Sequence, residues 1–286
     1  MKFVSFSYQG HDSWGVVDGD SVADLGEISP SLLDFIASSK YAERASIAAK
    51  ATKKISLTAI RYLPVIVNPE KVVCVVRNYL DHHHEAVASG LKVELSSFPP
   101  IFLRYARSHV GHGEPILRPI VSEQLDFEGE LAVIIGTRGR HIPEETAMDH
   151  VVGYSIYNDG SVRDYQFHAR QIAAGKNFDN TGPFGPYLVT KDEIADPHNL
   201  DLETRLNGQQ VQSSNTKHMI FNIPKLVNYA SQIFELLPGD VIATGTPAGV
   251  GFTRKPPLFM KAGDVVEVEI EKVGLLRNPI ANEAAR

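Results

Sequence analysis

The stretch Asp126-Phe127-Glu128-Gly129-Glu130-Leu131-Ala132-Val133-Ile134-Ile135-Gly136 decides how this chain reads. After its acids comes an apolar, β-type run. In a strand, residues i and i+2 point to the same face, so Glu128 and Glu130 lie side by side. Like charges on one face repel, and something positive belongs between them. A hard divalent cation suits carboxylate oxygens. A third acid, Asp159, ends the alternating segment Gly153-Tyr154-Ser155-Ile156-Tyr157-Asn158-Asp159. Three acids from two strands would leave positions on a metal open for a chelating substrate. The other reading is a solvated edge strand carrying surface glutamates.

The chain has 286 residues, room for one large domain or one plus a small one. Against 28 basic residues stand 34 acidic ones, a net charge of −6 that gives no electrostatic case for nucleic acid or an anionic membrane. The one cysteine, Cys74, excludes an intramolecular disulfide and a Cys-based zinc site. It sits in an apolar run and reads as a small buried hydrophobe. The first residues lack the pattern of a signal or transit peptide, and no stretch is apolar for long enough to span a bilayer. The simplest expectation is a cytoplasmic protein.

Residues 1–68 read as a small α/β domain: strands over 3–8, 13–17 and 22–25, a helix from 31 to 36, and a helical pattern over 41–53. Residues 69–286 form the second domain. There short apolar runs alternate with Gly and Pro, at 72–76, 101–105, 131–135, 151–157, 187–189, 202–206, 241–243 and 265–270, which predicts a sandwich, roll or barrel. Helices are expected over 78–88, 143–148 and 224–235. The fold class is therefore α+β and mostly β.

The segment Asn78-Tyr79-Leu80-Asp81-His82-His83-His84-Glu85 follows the first strand of the large region. On a helix His82 and Glu85 share a face at i,i+3. A carboxylate beside an imidazole fixes its tautomer and stabilises its protonated form, which suits general-base work. Adjacent helical residues diverge, so the histidine run itself is a poor chelator, and a solvated His run is the other reading.

Taken together, the residues resemble the fumarylacetoacetate hydrolase family. The likeness runs in order through Lys71 to Tyr79 with Asp81, His82 and Glu85, then Asp126 to Leu131. It continues through Gly153, Tyr154, Asn158, Asp159, Ser161, Arg163 and Asp164, then Lys176 to Asp179 with Gly182 to Pro186. It closes with Gly239 to Gly251 and Lys261 to Ile270 followed by Leu276 to Pro279. The resemblance implies a mixed β-sandwich roll, a homodimer, and one divalent cation held by Glu128, Glu130 and Asp159. That cation would be Mg²⁺ or Mn²⁺, with Ca²⁺ as an alternative. It also implies a water-activating dyad of His82 and Glu85, and Lys176 as the group that stabilises an oxyanion. Thr246 would contact the substrate carboxylate. Arg77, Tyr79, Tyr157, Arg163 and Gln166 complete the expected substrate contacts.

One motif departs from the family pattern. Many relatives carry Phe-x-Lys-Pro where this chain has Phe102-Leu103-Arg104-Tyr105. Arginine does not carry protons near neutral pH, so a positioning role is expected of Arg104, with a bidentate clamp on a substrate carboxylate as one form of it, and an ordinary strand followed by a surface loop is the other reading. Arg107, Ser108 and His109 sit nearby.

The implied activity is hydrolysis of a C–C bond in a 2,4-dioxo acid of the acylpyruvate type, chemistry met in aromatic-compound catabolism. The same enolate chemistry serves decarboxylation of oxaloacetate-like acids and isomerisation of hydroxymuconate-like ones. A third class is a noncatalytic metal-binding scaffold. Residues 83–99 lack a continuous pattern and are expected to form a lid over bound substrate.

Overall fold

A computed structural model of the chain describes residues 1–38 and 54–284. The helical pattern expected over 41–53 lies outside the described residues. The N-terminal strands are β1 (Lys2–Tyr8), β2 (His11–Asp18), β3 (Ser21–Asp24), β4 (Lys54–Ser56) and β5 (Arg61–Tyr62). Next come β6 (Val72–Val75), β7 (Ile101–Arg104), β8 (His109–Val110), β9 (Ile116–Arg118), β10 (Leu125–Asp126), β11 (Gly129–Ile135), β12 (Val151–Asn158) and β13 (Ser161–Val162). The last are β14 (Gly182–Thr190), β15 (Asp201–Leu206), β16 (Gln209–Asn215), β17 (Val241–Ala243), β18 (Val265–Ile270) and β19 (Gly274–Asn282). The α-helices are α1 (Leu32–Ile36), α2 (Leu80–Ala88), α3 (Arg163–Gln166) and α4 (Ile223–Ile233). The architecture is mostly β with few helices, as the sequence reading expects.

A large mixed sheet runs β4–β3–β2–β1–β14–β12–β11–β17–β6–β7, with β5 beside β1 and β8 beside β14. A second sheet runs β16–β15–β18–β19–β9, and β10 pairs with β13. The boundary expected near residue 68 falls in the connection between β5 and β6. Across it the large sheet is continuous, because β1 pairs antiparallel with β14 through Lys2↔Val189 and Phe3↔Leu188.

Strand β11 shows why its sequence is apolar without interruption. All seven residues are buried, because both faces of the sheet are covered. Leu131, Val133 and Ile135 pack against β15, β18 and α4 through Leu202, Val268, Ile223 and Val227. Ala132 and Ile134 face the opposite core, which holds Phe3, Trp14 and Phe35. Trp14 and Phe35 lie with ring centroids 4.5 Å apart, and truncating Trp14 to Ala would cost ~3–5 kcal/mol. The solvated-edge reading of the Glu-Gly-Glu segment is thereby excluded: β11 is central, between β12 and β17.

Three local expectations are corrected. Residues Glu144–His150 wind as a 3₁₀ helix rather than an α-helix. The helix expected from 78 starts at Leu80, because Arg77 holds a φ of +50° and Tyr79 is extended. The strand expected over 187–189 is only the end of β14. Its first five residues, Gly182-Pro183-Phe184-Gly185-Pro186, carry poor strand propensity, yet they sit between β12 and β8: Phe184 and Gly185 pair with Tyr157 and Ile156, and Gly182 and Pro183 pair with His109 and Val110.

Candidate metal centre and cavity

Register brings the acids together. In the β11–β12 ladder Gly129 pairs with Asn158 and Glu130 with Tyr157. One residue beyond, the Asp159 amide donates to the Glu128 carbonyl at 2.8 Å. The expected carboxylates of Glu128, Glu130 and Asp159 thus converge, with one oxygen of each within 4.8 Å of the others, and all three residues are buried. The residue between the glutamates has to be glycine. A Cβ on Gly129 would stand 2.3 Å from Thr204 Oγ1, where the second sheet closes on the first.

Cations surround two of the three acids. Lys176 Nζ lies 2.6 Å from both Glu128 Oε2 and Asp159 Oδ2. Arg163 NH2 lies 2.7 Å from Glu128 Oε1, and Arg104 NH1 lies 2.5 Å from Asp159 Oδ1. Burial raises the Glu128 pKa, but Lys176 and Arg163 outweigh it and bring the group down to about 2. Burial likewise works against the Lys176 ammonium, and the charges of Asp159 and Glu128 overcome it, so its pKa is raised.

Glu130 is different. It is 1% exposed and has no ion-pair partner among the described residues. Its pKa is pushed well above the carboxylate range by burial first, then by Asp159 and Glu128. The Tyr79 hydroxyl is buried with no hydrogen-bond partner among the described residues, and Glu130 is among the charges that raise its pKa. A hard divalent cation ligated by Glu128, Glu130 and Asp159 would relieve this buried repulsion, and three oxygen donors suit Mg²⁺ or Mn²⁺. The residues present fit the ion.

The acids line a cavity that opens to solvent. His82 and Glu85 meet there as expected. His82 Nδ1 lies 3.0 Å from Glu85 Oε2, and His82 lines the cavity. Glu85 Oε1 accepts from the Gly249 amide at 3.0 Å and from Thr253 Oγ1 at 2.8 Å. Burial raises the Glu85 pKa, but its bonds to His82, Thr253 and Gly249 leave it lowered. Of the histidine run, His82 and His83 are buried and His84 is exposed, as diverging helical neighbours must be.

The remaining expected contacts divide. Arg77, Arg163, Gln166, Lys176 and Thr246 line the cavity. Tyr79, Arg104 and Tyr157 stand outside its lining. Arg104 is not a substrate clamp: its donors go to Asp159, the Gly160 carbonyl, Ser108 Oγ and Thr181 Oγ1. The Tyr157 hydroxyl is engaged by His109 Nε2 at 2.8 Å. Thr246 is in the wall, but its hydroxyl proton goes to the Gly129 carbonyl at 2.9 Å, and the oxygen accepts from Gln212 Nε2 at 2.8 Å. It has no proton left for a carboxylate.

Several supporting residues escape sequence reading. Asp126 takes the amides of Phe127, Gly251 and Phe252 together with Arg163 Nε, and so binds the glycine-rich turn to the acidic strand. The pairing of Asp126 with Arg163 is not a local pattern, although both lie in quoted motifs. Gln212 joins the Gly129 amide to Thr246 and Pro247 and has no local signal at all.

Among the described residues no helix is long and apolar enough to cross a membrane. The profile of the family described as "Fumarylacetoacetate (FAA) hydrolase C-terminal" matches residues 71–281. The mitochondrial oxaloacetate tautomerase of Xenopus laevis is 44% identical over 271 residues, 92% of this chain and 83% of that protein. Among solved structures, the fumarylacetoacetate hydrolase of psychrophilic Exiguobacterium antarcticum superposes with a TM-score of 0.86 at 37% identity, over 99% of this chain and 100% of that one. The maleylpyruvate hydrolase of Sphingobium sp. SYK-6, solved with manganese(II) and pyruvate, gives a TM-score of 0.81 at 27% identity, again over 99% and 100%. With that match across most of its length, the chain belongs to the fumarylacetoacetate hydrolase family of enzymes.

Proposed function

We propose that the cavity carries keto–enol chemistry on a small 2-oxo acid of the oxaloacetate type, with His82 as the proton carrier. The observation that carries this reading is His82, held by Glu85 at 3.0 Å, in the wall of the cavity lined by Glu128, Glu130 and Asp159. The tautomerase name of the Xenopus relative supports it. When bound to the three carboxylates, a divalent cation supplies Lewis acidity that stabilises an enolate.

The chain's own groups do the rest. Glu85 holds Nδ1 of His82 and leaves Nε2 to take the proton from C3 of the keto acid. The proton returns to the C2 oxygen, giving the enol with every atom conserved, and the reverse reaction retraces the path. Lys176, kept cationic by Glu128 and Asp159, opposes the negative charge that develops on oxygen. Phe102, Phe167 and Phe252 line the cavity and limit access of water.

A second reading is hydrolysis of an acylpyruvate, in which the same dyad takes its proton from water. The name of the Sphingobium neighbour favours it. One experiment separates the two. Metal-supplemented protein is mixed with enol oxaloacetate and the loss of enol absorbance is followed; acylpyruvates are assayed in parallel for released pyruvate. Faster ketonisation with Mg²⁺ or Mn²⁺ supports the first reading. Pyruvate release without it replaces the first reading with the second. The homodimer implied by the family likeness belongs to the same proposal, and sedimentation tests it.

A further inference from the structure

Arg77 is the uncommitted cation of the cavity. Lys176 is engaged by Glu128 and Asp159, and Arg163 by Asp126, Glu128 and Gln166. Arg77 lines the same cavity and is partly buried, yet no acid or hydrogen-bond acceptor among the described residues engages it. Burial lowers its pKa with no acidic group to offset the effect. A guanidinium partly desolvated with no acid beside it is less well stabilised than one in water, and an anion in the cavity would relieve that.

The position is built to present this side chain. Arg77 stands between β6 and α2 with φ at +50°, in the left-handed region that a non-glycine residue rarely adopts. The next residue, Asn78, is fully buried. Its Nδ2 donates to the carbonyls of Phe221 and Thr244, at 2.9 and 2.8 Å, and its Oδ1 accepts from the Phe221 amide at 2.8 Å. These bonds clamp the backbone that carries Arg77 to the start of the glycine-rich turn. Strained, over-determined backbone of this kind concentrates at functional positions. Thr246 cannot replace it, because its hydroxyl proton is donated to Gly129.

We propose that Arg77 binds the distal carboxylate of the substrate, so that the site prefers 2-oxo dicarboxylates to 2-oxo acids with uncharged tails. The inference rests on the 2-oxo acid reading above. A 2-oxo acid that directs its carboxylate and keto oxygens toward the acidic triad turns its tail away. A second carboxylate on that tail pairs with the planar guanidinium in bidentate fashion.

The test compares oxaloacetate with its 4-methyl ester as substrates, by kcat/KM, in metal-loaded wild type, Arg77→Met and Arg77→Lys. Oxalate, which lacks a tail, is titrated calorimetrically into each. Wild type should prefer oxaloacetate by roughly 10- to 100-fold, the worth of a charge-assisted hydrogen-bonded pair. Arg77→Met should lose that preference and Arg77→Lys should recover part of it, while oxalate affinity stays within about threefold in all three, as expected for a contact on the tail alone. The inference is overturned if wild type shows no preference, if Arg77→Met keeps it, or if oxalate binding falls in parallel. Failure of wild type to bind oxalate at all, with metal present, would instead remove the 2-oxo acid reading beneath it.

Discussion

The Gly245 amide donates to Glu130 Oε2 at 2.8 Å, and it is the one hydrogen bond that this carboxylate receives among the described residues. Gly245 reaches it from a φ of +96°, and a Cβ there would fall 2.7 Å from the Asn78 Cβ. A single neutral donor does not offset a buried charge that faces two other acids.

Glu130→Gln is therefore expected to separate metal binding from stability. The variant keeps an acceptor for Gly245 and removes the source of repulsion, so melting without metal should stay level or rise. Affinity for Mn²⁺ should fall by roughly a hundredfold, since affinity follows the charge count of the ligands. Calorimetry and thermal melts check both; wild-type affinity in the variant would remove Glu130 from the ligand set.

His82→Ala should leave metal affinity unchanged and slow proton transfer by roughly 10²–10⁴-fold, the usual cost of losing a general base. Glu85→Gln should be milder, because an amide oxygen can still accept from Gly249 and Thr253. Parallel loss of metal binding in His82→Ala would place the imidazole among the ligands instead.

Asp126→Ala should be strongly destabilising. It takes from Arg163, 2% exposed, the partner of its Nε, and leaves the Gly251 and Phe252 amides without their acceptor. Breaking a buried ion pair by removing one partner costs ~3–5 kcal/mol. Urea unfolding measures the loss, and a change under 1 kcal/mol, about the worth of an exposed pair, would contradict the buried network.

His109 predicts acid sensitivity. Burial first, then the nearby Arg104 charge, lowers its pKa from 6.5 to about 3. Between those values the unfolded chain binds a proton that the folded protein refuses, so stability rises with pH there and is lost as pH falls from about 6.5 toward 3. The full contribution is on the order of 5 kcal/mol. His109→Gln should flatten the stability profile below pH 6, measured by urea unfolding at a series of pH values.

Closure over substrate should appear as protection. Glu85 already ties α2 to Gly249 and Thr253, so oxalate with metal should slow hydrogen exchange chiefly over 89–99, beyond the helix. Unchanged exchange across 83–99 at saturation would rule out a lid.

Much of the candidate site was legible in the sequence because its parts are local. Glu128 and Glu130 lie two apart on a strand, and His82 and Glu85 three apart on a helix. In both cases backbone period alone sets the shared face. The mostly β class followed for the same reason, since short apolar runs cut by Gly and Pro are a local signal. Long-range order was not readable. The register that sets Asp159 beside Glu128, the insertion of β14 between β1 and β12, and the burial of β11 on both faces come from pairing between distant segments.

The same limit explains the reassigned side chains. Sequence places Arg104, Tyr157 and Thr246 near the chemistry, but where a donor's protons go depends on which acceptors the fold delivers. Arg104 meets Asp159, Gly160, Ser108 and Thr181, Tyr157 meets His109, and Thr246 meets Gly129 and Gln212. Arg77, with no partner among the described residues, is left lining the cavity. The sequence by itself determined which acids, bases and cations are present and their spacing along strand and helix. Only the tertiary structure decided which of them are already paired, because a buried hydrogen bond is settled by the partner that packing brings within reach.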